Sequence, residues 1–85
     1  MDTCRHRAPA SVGDGRVLRL ALSAGELHRV PRGMHNVQVL SGIAWITVDG
    51  QDVVAERGSC VQLPQNAFPA LVSRLGGETL VFEIW

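Results

Sequence analysis

The fourteen residues VQVLSGIAWITVDG, at positions 37–50, constrain the fold of this chain more than any other stretch. A short run rich in β-branched residues ends at Ser41-Gly42, and six apolar or β-branched residues, Ile43–Val48, follow it. Asp49-Gly50, which closes the second run, is a pair typical of two-residue hairpin turns. The stretch therefore predicts two strands and two turns.

Both faces of the second predicted strand are largely apolar. Residues two apart along a strand share a face. The two sets are Ala44, Ile46 and Val48 on one side and Ile43, Trp45 and Thr47 on the other. Because a strand with one face in water would alternate with charged residues, we expect either packing on both sides or contact of one face with a partner.

Six more strands are predicted around this pair. Leucines alternate with other residues in positions 17–22, which puts Leu18, Leu20 and Leu22 on one face. The remaining strand segments, separated by turns with Gly or Pro, are residues 27–30, 53–55, 59–64, 67–75 and 80–85. Short strands at a spacing of about 8–12 residues are typical of a sandwich or closed barrel. The predicted fold class is all-β.

Residues 1–16 mix Arg, Pro, Ser, Gly and Asp with almost no apolar periodicity, so they bury too little apolar surface to offset their chain entropy. We expect a disordered tail over residues 1–16 and a single domain over residues 17–85. A chain of 85 residues hides only about 60% or slightly more of its unfolded surface when it folds. Because association compensates for a small core, a homodimer is expected.

Charge and cysteine content exclude several classes of partner. Eight basic and eight acidic residues give a net charge of +0, so the chain lacks a positive field that would attract nucleic acid or an anionic membrane. It also lacks a signal peptide pattern and a run of roughly 18 apolar residues. Cys4 and Cys60, the two cysteines, form no disulfide framework. We therefore predict a cytoplasmic protein with both thiols reduced.

The order of strands and turns over residues 37–85 resembles the conserved core of the cupin superfamily, which consists of small double-sheet jelly-roll barrels. Three segments together resemble a family of short, uncharacterised bacterial cupin-like proteins, a domain of unknown function: the leucine run, GELHRVPRG and GIAWITVDG. The hairpin of that family carries a Trp-hydrophobic-Thr-x-acidic-Gly pattern, and residues 45–50 match it at every position. The resemblance implies a small antiparallel jelly-roll or cupin-like β-barrel.

Cupins commonly hold a metal, and the resemblance allows each ligand position to be compared. The first cupin motif supplies two His and a Glu before the glycine of the central turn. If Gly42 is that glycine, His28 occupies the first His position, Val30 the second and His35 the Glu position.

The second cupin motif supplies one further His after a Gly, five residues, Pro, x, Gly pattern. Gly58 and Pro64 match it, but Asn66 replaces the last glycine and Pro69 replaces the His. Open catalytic metal sites need three or four protein donors, and only His28 and His35 remain as candidates. We therefore predict no catalytic residues, no tightly bound metal and no cofactor.

The other reactive side chains favour structural roles. Cys60, inside an apolar run, is expected to be buried and inert. Asp52, Glu56, Glu78 and Glu83 lie near predicted turns or on an exposed face, and solvated carboxylates are expected there.

Three functions remain, in decreasing order of preference. The first is a non-catalytic, homodimeric module that acts in protein interaction. The second is a sensor barrel that holds one small ligand, and the third is a metal-dependent enzyme. Packing of the lumen distinguishes the first two, and the residues expected to fill it are Leu20, Ala44, Ile46, Val48, Val61, Leu63 and Leu71.

Trp45 carries the prediction of a dimer. An aromatic side chain on an outer face is expected to pack against another surface, because that contact can bury on the order of 150–250 Å² of its accessible area. The first possibility is cover by the N-terminal strand of the same chain, around Leu18 to Leu22. The second, which we favour, is a two-fold homodimer, the commonest closed assembly. The predicted interface residues are Ile43, Trp45, Thr47, Phe82 and Trp85.

Overall fold

The computed structural model describes residues 17–64 and 69–85 and contains eight strands there. They are β1 (Leu18–Leu22), β2 (Leu27–Val30), β3 (Asn36–Ser41), β4 (Ile43–Val48), β5 (Gln51–Glu56), β6 (Cys60–Gln62), β7 (Ala70–Leu75) and β8 (Leu80–Ile84). The predicted tail, residues 1–16, lies outside the described residues. The described part contains no helix that could cross a membrane.

The strands form two four-stranded antiparallel sheets. Sheet A has the order β1-β8-β3-β6, and sheet B has the order β2-β7-β4-β5. Every connection crosses from one sheet to the other except the β4–β5 hairpin. This is the topology of an eight-stranded jelly roll, so the predicted all-β, cupin-like fold is confirmed.

The β4–β5 hairpin has the turn that its sequence predicts. Val48 pairs with Gln51, which leaves Asp49 and Gly50 as a two-residue loop. Their φ values are 54° and 73°. Positive φ at both central residues defines the type I′ turn, whose twist matches that of the flanking strands.

The core lies between the sheets, and in the described part of the chain it consists of fourteen buried apolar residues. Ala44 and Ile46 are 0% exposed and Val48 is 7% exposed, so the predicted inward face of β4 is confirmed. Leu63 is also buried, and Leu20 and Val61 pack against the core. The prediction that Leu71 helps to fill the lumen is wrong. Leu71 pairs with Thr47 and Arg29, whose side chains face outward, whereas its neighbours Ala70 and Val72 face the core.

Candidate functional site

His28 projects into the barrel from β2, the edge strand of sheet B. Its cross-strand partner is Val72, which is fully buried, and residues directly opposite share a face. The imidazole meets the Phe82 ring edge-on, with centroids 6.2 Å apart and planes at 61°. His28 is half-buried, and its Nε2 atom is buried without a hydrogen-bond partner among the described residues.

His35 immediately precedes β3, a strand of sheet A. Its backbone N–H donates to Trp85 O at 2.9 Å, and its carbonyl accepts from Leu63 N at 2.6 Å. These bonds anchor the start of β3 and the end of the chain. Within residues 17–64 and 69–85 no group of three or more His, Cys, Asp or Glu could hold a metal ion.

A pocket of about 180 Å³ opens where β2 ends, lined by Arg29, Val30, Pro31, Arg32 and Pro69. Val30 and Pro69 are the positions at which the cupin motifs expect histidines. Both positions lie at the same pocket, and the side chain at each of them is aliphatic. Asn66, the other departure from the second motif, lies outside the described residues.

Cys60 differs from its prediction. It is half-exposed at the start of β6 and is disulfide-bonded. The prediction that Cys60 is a buried, reduced thiol is therefore wrong. The only other cysteine of the sequence is Cys4, which lies outside the described residues. Since disulfides are rare in the cytosol, one of the two supports for a cytoplasmic location is lost.

Glu83 also differs, because it is 8% exposed rather than solvated. Arg19 on β1 holds its carboxylate with two hydrogen bonds, from Nε at 3.0 Å and from Nη2 at 2.7 Å. The two residues are direct partners across the β1–β8 pair. Asp52, Glu56 and Glu78 are exposed, as predicted.

The outward-facing side of sheet B presents apolar side chains that the strand pairing brings together. Its central row crosses all four strands and consists of Leu27, Ser73, Trp45 and Val54. On one side of this row are Leu75, Ile43 and Glu56, and on the other are Arg29, Leu71, Thr47 and Asp52. We call these eleven residues the outer face of sheet B.

Four of the five large apolar side chains that are exposed in the described residues belong to this outer face: Leu27 at 61%, Val54 at 55%, Trp45 at 41% and Leu75 at 36%. The outward direction of Trp45 confirms its predicted orientation. Leu27, Val54 and Leu75 were not singled out from the sequence, because their positions beside Trp45 depend on pairing between distant strands.

Two parts of the predicted interface need correction. Phe82 is 0% exposed and belongs to the core, so it offers no surface to a partner. Trp85 follows β8 in sheet A and therefore does not extend the face around Trp45, which is in sheet B. The N-terminal strand does not cover Trp45 either, because β1 pairs with β8 in sheet A.

The fold is shared by solved bacterial proteins. A cupin protein from Bacteroides fragilis superposes with a TM-score of 0.65 and 21% sequence identity, and a conserved protein of unknown function from Streptococcus pyogenes with 0.64 and 21%. A proposed sugar phosphate isomerase from Acidithiobacillus ferrooxidans superposes with 0.64 and 23%. Each alignment covers 80% of this chain, but only 60%, 60% and 46% of those proteins, respectively.

At these identities the likeness shows the fold alone, and the fold of this chain is that of the cupins. No family model matches the sequence, and no curated protein matches it.

Proposed function

We propose that this chain is a non-catalytic cupin-like module that forms a homodimer and acts in protein interaction. The observation that carries the proposal is the outer face of sheet B, where four large apolar side chains remain exposed around Trp45. Cupin-like folds host many activities, so the surface and the residues, rather than the fold, must decide between functions.

The outer face of sheet B has the properties of a protein interface. Exposed apolar patches that are larger than a few hundred Å² commonly mark a contact surface, and Trp is enriched among residues that anchor interfaces. The outward residues of sheet A are more polar, with Gln38 and the Arg19–Glu83 ion pair on neighbouring strands. The proposed contact is therefore made by sheet B.

The residues at the cupin ligand positions support the non-catalytic part of the proposal. Val30 and Pro69 carry no side-chain group that binds a metal or transfers a proton, which leaves His28 on β2 and His35 before β3 as the remaining donors. Two imidazoles are fewer than the donors that an open catalytic site needs.

The test is the oligomeric state measured by sedimentation and light scattering. The unmodified chain should run as a dimer of about twice its 9.2 kDa mass, and Trp45→Arg should run as a folded monomer because it places a charge in the contact. Ala21→Arg is the control, since Ala21 is also exposed but lies on the outward side of sheet A, opposite Val81 on β8. An unmodified chain that is monomeric at high micromolar concentration contradicts the proposal.

Small-ligand binding is the second candidate, and the pocket beside Arg29 and Arg32 favours it. At about 180 Å³ it is smaller than the roughly 300–1,000 Å³ of most ligand sites. Its two guanidinium groups suit a small anion, and one protein of the same fold is named as a sugar phosphate isomerase. A thermal shift with sugar phosphates but not with the free sugars, lost in Arg29→Gln, would move this function to first place.

A further inference from the structure

The outer face of sheet B carries opposite charges at its two edges. Arg29 lies on β2 and Asp52 on β5, and the row that contains both continues through Leu71 and Thr47. Three strand spacings of about 4.8 Å separate these edges, so the two side chains are too far apart for an ion pair within one chain. Both are exposed, and Asp52 accepts a hydrogen bond from Thr47 Oγ1 at 3.1 Å.

The charged edges allow a two-fold contact that is complementary to itself. We propose that two copies pack their outer faces of sheet B together about an axis that runs parallel to the strands, between β7 and β4. This symmetry exchanges the edges, so that Arg29 of each copy faces the partner's Asp52. The proposal rests on the homodimer proposed above and specifies its surface and symmetry.

The same axis matches the side chains of the central row. Trp45 comes to face the partner's Ser73, a small residue that leaves space for the indole, and Leu27 faces the partner's Val54. Leu27 and Val54 are 61% and 55% exposed in the single chain, so the contact would cover the most exposed apolar residues of the face. Burial of apolar surface and pairing of charge thus favour one arrangement.

The alternative in-plane axis, perpendicular to the strands, is less favourable. This axis places each strand over the same strand of the partner. It also reverses the order of the rows, so that the row with Arg29 and Asp52 lies over the partner's row with Leu75, Ile43 and Glu56. Asp52 would then face the partner's Glu56, which brings two pairs of carboxylates together, and like charges in an interface disfavour association. Arg29 would face the turn before the partner's β2, where the carboxylate of Glu26 already accepts a hydrogen bond from the backbone N–H of Ser23 at 2.7 Å.

The size of the face predicts a weak dimer. Four strands about 4.8 Å apart and three rows about 7 Å apart cover roughly 400 Å² per copy, or about 800 Å² in total. Stable interfaces commonly bury about 1,600 Å², so we expect dissociation in the micromolar range. Repulsion between copies does not oppose this contact, because the chain has a net charge of +0.

Charge reversal with exchange of partners tests the arrangement. Arg29→Glu and Asp52→Arg each create two repulsive pairs in their own homodimer, and each should weaken it about tenfold or more at low ionic strength. A mixture of the two variants contains a heterodimer in which both pairs are again opposite in charge. That heterodimer should form with an affinity within about threefold of the unmodified homodimer.

Sedimentation equilibrium measures the affinities, and native mass spectrometry with one variant isotope-labelled counts the heterodimer. Arg57→Glu and Glu78→Arg are the controls, because they make the same charge changes at exposed turn residues outside the face. If the unmodified chain dimerises but the single variants dimerise equally well, or their mixture gives no excess of heterodimer, the proposed axis is wrong and the homodimer stands. An unmodified chain that is monomeric overturns both proposals.

Discussion

Among the glycines in the described part of the chain, Gly42 is the one whose added Cβ atom would clash with the backbone, at the point where the chain passes from sheet A to sheet B. Its φ is +82°, and a Cβ atom added to it would lie 2.6 Å from the carbonyl oxygen of Thr79. A side chain would therefore meet both an unfavourable backbone conformation and a rigid backbone atom of the segment before β8.

Alanine substitutions separate these two effects. At Gly58 the backbone φ is +88°, but no atom lies within 4 Å of an added Cβ. At Gly77 there is neither a positive φ nor an atom within 4 Å. The left-handed conformation costs an L-residue about 1–2 kcal/mol, so Gly58→Ala should lose about that much. Gly42→Ala should lose at least about 1 kcal/mol more because of the clash. Urea denaturation measures all three, and equal losses at Gly42 and Gly58 would show that the Thr79 contact is unimportant.

The histidines give a second prediction at this scale. We expect protein purified without added metal to contain well under one equivalent of zinc, iron or manganese, because two imidazoles do not complete a site. Elemental analysis tests this directly. A stoichiometric metal that disappears in the variant with both His28→Ala and His35→Ala would instead favour the metal-dependent enzyme.

Residue-level features were predictable where they depend on local chemistry. The Asp49-Gly50 turn followed from the dipeptide alone, because Asp and Gly are the residues that most readily adopt φ > 0 at the two central positions of a type I′ turn. The environments of Glu83 and Cys60 were not predictable. Arg19, the partner of Glu83, lies on a strand far away in the sequence, and Cys60 lies on β6, which pairs with β3 rather than with a sequence neighbour.

At the scale of elements, the attachment of β1 to β8 depends on a partly buried ion pair. The Arg19 guanidinium is 68% exposed, but the Glu83 carboxylate side chain is only 11% exposed. Arg19→Ala therefore leaves a largely buried carboxylate without this partner, which we expect to cost about 1–2 kcal/mol. Arg57→Ala is the control, as an exposed turn residue.

Two measurements distinguish this effect from a simple loss of charge. The double variant Arg19→Met, Glu83→Leu should recover most of the stability, since removing both partners of a buried pair is often neutral. Hydrogen exchange in β1 should increase in Arg19→Ala more than exchange in β4. Unchanged exchange in β1 would show that the ion pair does not hold this edge strand.

Strand positions were predictable, but the faces of β7 were not. Short strands with turn residues between them identify themselves through local composition. In β7, however, Ala70 and Val72 face the core while the more apolar Leu71 faces outward. Hydrophobicity alone favours Leu71 in the core. Which alternate residues of β7 face inward is instead set by its pairing with β2 and β4.

At the scale of the whole molecule, the disulfide at Cys60 predicts the redox behaviour of the chain. Native protein isolated without reductant should react with fewer equivalents of an alkylating reagent than the same protein after reduction. Cys60→Ser should abolish this difference between the native and the reduced protein. Intact-mass spectrometry counts the modified thiols, and two reactive thiols in the unreduced native chain would contradict the disulfide.

The dimer links stability to concentration. Folding of a short chain leaves a small margin of stability, and a second copy that binds only the folded state adds to it by mass action. A rise in concentration from near the dissociation constant to about a hundredfold above it adds up to about 2.7 kcal/mol. In a domain of this size 1 kcal/mol shifts Tm by about 4–8 °C.

We therefore expect the Tm of the unmodified chain to rise by on the order of 10 °C over this concentration range. Trp45→Arg should show a Tm that does not depend on concentration, because the charge prevents the contact with the partner. Ala21→Arg should keep the concentration dependence. A Tm of the unmodified chain that stays constant over this range, or a Trp45→Arg protein whose Tm still rises with concentration, would show that Trp45 does not hold the dimer together.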